Sequence, residues 1–96
     1  MAQKTILITG CSAGGIGEAL AISSHKRGLR VFATARNLAK VEKLKRLGMD
    51  VIQLDVVNDE SIKQAVEKVR SMTGGTLDFL VNNSGGGSYF PIDLLN

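Results

Sequence analysis

Four short apolar segments, separated by stretches of helical spacing, constrain what this chain can fold into more than any other feature. Thr5-Ile6-Leu7-Ile8-Thr9 is β-branched and apolar on both faces, as a strand buried in a parallel sheet must be. Residues 31–35, 51–54 and 77–82 read the same way, the last with Asp78 near its start. Between them a first helix runs from near Ile16 or Gly17 to before Gly28, with His25, Lys26 and Arg27 at the negative end of its dipole. A second covers residues 38–47 on the stripe Leu38, Val41, Leu44 and Leu47, closed by Gly48. A third starts at the N-cap Asn58, carries Asp59 and Glu60 in its first turn, and repeats apolar residues at Ile62, Ala65, Val66, Val69 and Met72. Gly74-Gly75 ends it. The order βαβαβαβ predicts an α/β fold of parallel strands joined by right-handed crossovers. After Asn82 the pattern gives way to Gly85-Gly86-Gly87, and the closing residues are compatible with the start of another helix.

The 96 residues suffice for one small domain. Composition, 44% hydrophobic and 22% charged, is that of a soluble globular chain. The apolar run at the N-terminus is short and meets glycines at once, unlike a signal peptide, so a cytoplasmic location is expected. One cysteine, Cys11, and one histidine leave no internal disulfide and no metal-ligand cluster to expect. The net charge of +3 is spread over predicted helix surfaces at Lys40, Lys43, Lys45 and Arg46. Without interleaved aromatics this favours a solvated face over a nucleic-acid patch.

The stretch Thr9-Gly10-Cys11-Ser12-Ala13-Gly14-Gly15-Ile16-Gly17 lies between the first strand and the first helix. A glycine-rich turn in that context suits a pyrophosphate, because helix-start N–H groups attract an anion and glycines let it approach. A bare strand-to-helix turn would not need so many glycines. A phosphate loop of the hydrolase type would need Lys-Ser/Thr after the glycines, whereas Gly17-Glu18-Ala19 stands here. Cys11 reads as a small loop residue, with a redox thiol at a helix start as the alternative.

The second strand runs out into Ala35-Arg36-Asn37. NAD-selective dinucleotide folds place a carboxylate there for the ribose 2′-hydroxyl. A guanidinium instead can pair with a 2′-phosphate, which points to NADP(H) rather than NAD(H). An ordinary surface arginine is the alternative reading.

Thr9-Gly10 with Gly15-Ile16-Gly17, then Leu54-Asp55-Val56, then Asn82-Asn83-Ser84-Gly85, resemble the short-chain dehydrogenase/reductase family over almost the whole chain. The wording TGCSAGGIG, FATARN and NNSGGG is most similar to fungal NADPH-dependent acyldihydroxyacetone phosphate reductases. The resemblance implies a Rossmann fold with strand order 3-2-1-4 that uses NAD(P)(H) to interconvert carbonyls and alcohols. It makes Gly10, Gly15 and Gly17 the three loop glycines and Gly14 an extra residue. It gives Ser12 a hydroxyl contact to phosphate or ribose, and Ile16 a backbone contact beside the pyrophosphate. Asp55 would accept from the adenine amino group, next to a backbone contact from Val56, and Asn82 would lie against a ribose. Asn83, Ser84 and Gly85 would let the backbone approach the cofactor; Ser84 stands where the family usually has Ala. A turn before the third helix would explain Asp55 as well, and a strand-ending turn Asn82-Asn83.

The family's reaction needs an Asn, a Ser and a Tyr followed four residues later by Lys. Tyr89 is followed at that distance by Asp93, and the last lysine is Lys68. No catalytic residue is therefore assigned in this chain. Residues 1–96 are expected to be the N-terminal NADP-binding part of a longer Rossmann domain, truncated before the remaining strands and inactive alone. The substrate carbonyl or alcohol would meet only the complete protein. The alternative is a non-catalytic NADP(H)-binding or partner-interaction module. On the truncated reading the outer edge of the fourth strand would be unpaired, inviting self-association. Subfamily resemblance also admits association with endoplasmic reticulum or lipid droplets.

Overall fold

The computed structural model describes residues 3–11, 14–55 and 57–83, and the backbone of 88–93. The elements are β1 (Thr5–Ile8), α1 (Ile16–Lys26), β2 (Arg30–Ala35), a 3₁₀ turn (Leu38–Val41), α2 (Glu42–Arg46), β3 (Asp50–Gln53), α3 (Asp59–Thr73), β4 (Thr76–Asn82) and β5 (Ser88–Asp93). β1 pairs in parallel with β2 and β4, and β2 with β3, which is the expected order 3-2-1-4. β5 extends it to β3-β2-β1-β4-β5.

Strand alternation sends side chains to two cores. Ile6, Ile8, Val31, Ala33 and Ala35 join Ala21, Val41 and Leu44 on the face covered by α1 and α2. Leu7, Phe32, Ile52, Leu54 and Leu77 join Ala65 and Val69 of α3 on the other. β1 is buried on both faces, as its unbroken apolar run requires. At the opposite end from the glycine loop, Arg30 Nε donates to Asp50 Oδ2 at 3.0 Å and Nη1 to Met72 O at 3.0 Å, tying β2, β3 and the end of α3 together.

Three expectations are corrected. The second helix is a 3₁₀ turn followed by a five-residue α-helix rather than one helix over 38–47. A strict spacing of three matches three residues per turn and drifts round an α-helix of 3.6. Accordingly Val41 and Leu44 are buried, while Leu38 and Leu47 at the ends of the stripe are 41% and 45% exposed. The outer edge of β4 is not unpaired: β5 lies antiparallel on it, with Leu77 opposite Ile92 and Val81 opposite Tyr89. That removes the basis for self-association through this edge. Residues 83–87, too few for a crossover, can only return an antiparallel neighbour. The segment is strand rather than helix, its Pro91 tolerated at a sheet edge.

Candidate functional site

The chain proceeds from β1 outward through β2 to β3, then returns to the other side of β1 for β4. The crevice at the carboxyl ends of β1 and β4 is therefore where an open sheet of this kind takes a ligand. The glycine loop leaves β1 into this crevice, and Arg36, Asp55 and Asn82 sit at or just beyond the ends of the other three parallel strands.

Gly10 and Gly14 have φ of 68° and 85°, in the left-handed region. A Cβ at Gly14 would meet nothing within 4 Å, so its need for glycine is conformational and open space lies over it. Gly15 is the N-cap of α1 in an extended conformation (φ −100°, ψ 174°) that any residue can adopt. Lacking a side chain, it cannot cap the first-turn N–H groups, one of which would otherwise take a side-chain oxygen. Gly17 is buried by contact: a Cβ there would overlap Gly10 O and lie 3.0 Å from Asn83 Nδ2. Ile16 is 72% exposed at the loop's rim. Among the described residues, first-turn amides with no cap from Gly15, open space at Gly14 and close packing at Gly17 are features an anion such as pyrophosphate can use, with Glu18 Oε1 accepting from Gly14 N at 3.5 Å at the loop's edge.

Thr9 binds this loop to β4. Its Oγ1 donates to Asn82 Oδ1 at 3.1 Å and accepts from Asn83 N at 2.9 Å. Asn83 Nδ2 donates to Gly10 O at 3.2 Å. Sequence reasoning assigned neither the Thr9 hydroxyl nor the Asn83 amide this role. These partners lie 73 or 74 residues apart, and nothing in their spacing announces the contact.

Cys11 is fully buried, its thiol donating to Ile8 O at 3.2 Å. Burial pushes the thiol up to about 11, a nearby Glu18 adds to this, and a backbone hydrogen bond at Thr34 opposes it. The residue is an inert packing group, not a redox thiol.

A second cleft of about 340 Å³ opens beyond β2 and β3, lined by Arg36, Gln53, Asp55, Asn58, Glu60, Ser61 and Gln64. It brings the predicted Arg36 and Asp55 together. Arg36 is exposed and, among the described residues, has no carboxylate partner. Asp55 does close the turn that was its alternative reading. Its Oδ1 accepts from Val57 N at 3.1 Å, and its own N–H donates to Ser61 Oγ at 2.9 Å. Gln53 and Ser61 are further residues of this cleft that sequence reasoning missed. Ser12, Val56, Ser84 and Gly85 lie outside the described residues. Among the described residues no cluster of His, Cys, Asp and Glu could hold a metal, and no helix is long and apolar enough to cross a membrane.

Residues 4–96 match the short chain dehydrogenase family. The chain is 53% identical over 93 residues to the short-chain dehydrogenase ptmH of Penicillium ochrochloron, covering 96% of this chain and 34% of that protein. It is 44% identical over 94 residues to the NADPH-dependent 1-acyldihydroxyacetone phosphate reductase of Schizosaccharomyces pombe, covering 97% and 32%. Among solved structures, a short-chain dehydrogenase from Streptomyces avermitilis superposes with a TM-score of 0.77 at 32% identity, covering 85% of this chain and 31% of that one. YwfH, an NADPH-dependent reductase involved in bacilysin biosynthesis, gives 0.79 at 26%, covering 91% and 39%. The chain thus spans about a third of the length of the curated relatives it matches.

Proposed function

This chain belongs to the short-chain dehydrogenase family, and from that premise we propose that it is the NADP(H)-binding portion of a reductase acting on a carbonyl or alcohol. The observation that carries the choice of NADP(H) is Arg36, an exposed guanidinium with no carboxylate partner among the described residues, lining the same cleft as Asp55. A carboxylate in that place would repel a 2′-phosphate, whereas a guanidinium offers it paired N–H donors. The NADPH-dependent reductase from Schizosaccharomyces pombe, at 44% identity, supports the same choice.

In this reading the first-turn amides of α1 and the loop from Gly10 to Gly17 hold the pyrophosphate, with Ser12 and Ile16 beside it. Asp55, with Val56, receives the adenine. Asn82, turned by Thr9, faces a ribose at the end of β4, and Ser84 and Gly85 continue that wall. The cofactor supplies or accepts the hydride when bound, and this chain's residues orient it and exclude competing positions. The 96 residues bind cofactor without turnover, since no tyrosine here has a lysine four positions on.

Calorimetric titration with NADPH and NADH tests it. NADPH should bind at least about tenfold more tightly, the worth of a charge-assisted pair. Arg36→Ala should bring the two affinities together. Equal affinities in the unmodified protein would overturn the assignment.

A further inference from the structure

Arg36 stands at the point where β2 and β3 part company. The last backbone bond between the two strands is Leu54 N donating to Ala35 O at 3.0 Å. Beyond it β3 turns through Asp55 toward α3, and β2 turns into the 3₁₀ segment, where Asn37 Oδ1 accepts from Ala39 N at 3.0 Å. Arg36 thus sits between the end of a ladder and a capped turn. One backbone contact reaches across the gap from a side chain: Gln53 Nε2 donates to Arg36 O at 3.1 Å.

The geometry at the two peptide groups flanking Arg36 is what matters. The peptide before it is held through Ala35 O by the β3 backbone. The peptide after it is held through Arg36 O by Gln53. With both planes fixed, the direction of the Arg36 Cα–Cβ bond is fixed, and the flexible side chain starts from a set position. Without Gln53 the residue is held on one side only, φ is no longer fixed by two anchored planes and Cβ can swing about the N–Cα bond, so the guanidinium must be ordered at the moment of binding, which weakens its grip. Gln53 and Arg36 also line the same cleft.

We propose that Gln53 is a positioning residue for Arg36, and that its side-chain amide sets how strongly the protein prefers a 2′-phosphorylated adenosine. The inference rests on the reading of Arg36 as the 2′-phosphate ligand. Gln53 is exposed, so Gln53→Met removes the N–H donor at nearly constant shape without disturbing the core.

The test compares 2′,5′-ADP with 5′-AMP by calorimetry. The unmodified protein should prefer 2′,5′-ADP. Gln53→Met should lower that preference by about three- to tenfold, the range of one net hydrogen bond, by weakening 2′,5′-ADP more than 5′-AMP. In an Arg36→Ala background Gln53→Met should change nothing further. Equal weakening of both nucleotides, a preference left undiminished by Gln53→Met, or a further loss beside Arg36→Ala would each overturn the role of Gln53. A lack of preference in the unmodified protein would overturn the NADP reading itself, and is visible before any substitution is made.

Discussion

At Gly17 an added Cβ would run into the carbonyl of Gly10, part of a backbone that β1 and Asn83 hold in place. Gly17→Ala should therefore destabilise the fold by about 1–3 kcal/mol, as overpacking does. Gly14→Ala meets no atom but needs φ near 85°, and should cost about 1 kcal/mol. Gly15→Ala carries no left-handed φ penalty, because its backbone is extended, and should cost the least of the three, a few tenths to about 1 kcal/mol, the difference between Gly and Ala at an N-cap. Denaturant unfolding of the three variants checks this order. Within the adjacent pair Gly14-Gly15, the backbone's demand for glycine thus falls on Gly14, the residue the motif alone would treat as extra. Cys11 offers a second test at this scale. Its thiol, normally near 9, is raised to about 11 in the folded state. Between those values the unfolded chain has released the proton and the folded chain has not. Stability from Cys11 is therefore complete below pH 9 and lost as pH rises through 11, by about 2–3 kcal/mol. Unfolding free energies at pH 8 and 11 should fall less in Cys11→Ala than in the parent. A thiol reagent at pH 8 should label Cys11 only after denaturation.

Helices α1 and α3 begin in opposite ways. Asn58 caps α3 through its side chain, accepting from Ser61 N at 3.1 Å. Asn58→Ala should cost about 1 kcal/mol in thermal or denaturant unfolding. α1 begins at Gly15, which makes no side-chain cap, and on the proposed reading this leaves first-turn donors for a pyrophosphate at some expense in stability. Both starts were legible in the chain, one from Asn58-Asp59-Glu60 and the other from glycines directly after an apolar strand. The second helix was less legible. Leu38, Val41, Leu44 and Leu47 give a clear stripe, but a spacing of three belongs to a 3₁₀ turn as much as to an α-helix, and half of the stripe faces water.

Taken whole, the molecule is a four-stranded parallel sheet with one antiparallel strand beside β4. β5 covers the backbone of a strongly apolar β4, so deleting residues 84–96 should expose that edge and promote self-association. Size-exclusion chromatography of the deleted and undeleted chains checks it, and identical elution volumes would show that β5 does not protect the edge. The alternation of apolar runs with helical spacing determined by itself that the chain is α/β, that its first four strands are parallel, and that a glycine loop meets a helix start. Those features are local, written in periodicities of two and 3.6 and in the φ freedom of glycine. What only the tertiary structure decided are the contacts across the sheet. Thr9 turning Asn82, Asn83 holding Gly10, Gln53 holding Arg36 and β5 folding back on β4 all join groups that topology brings together. A polar side chain carries no periodic sign of its partner, so its role becomes visible only when the strands lie side by side.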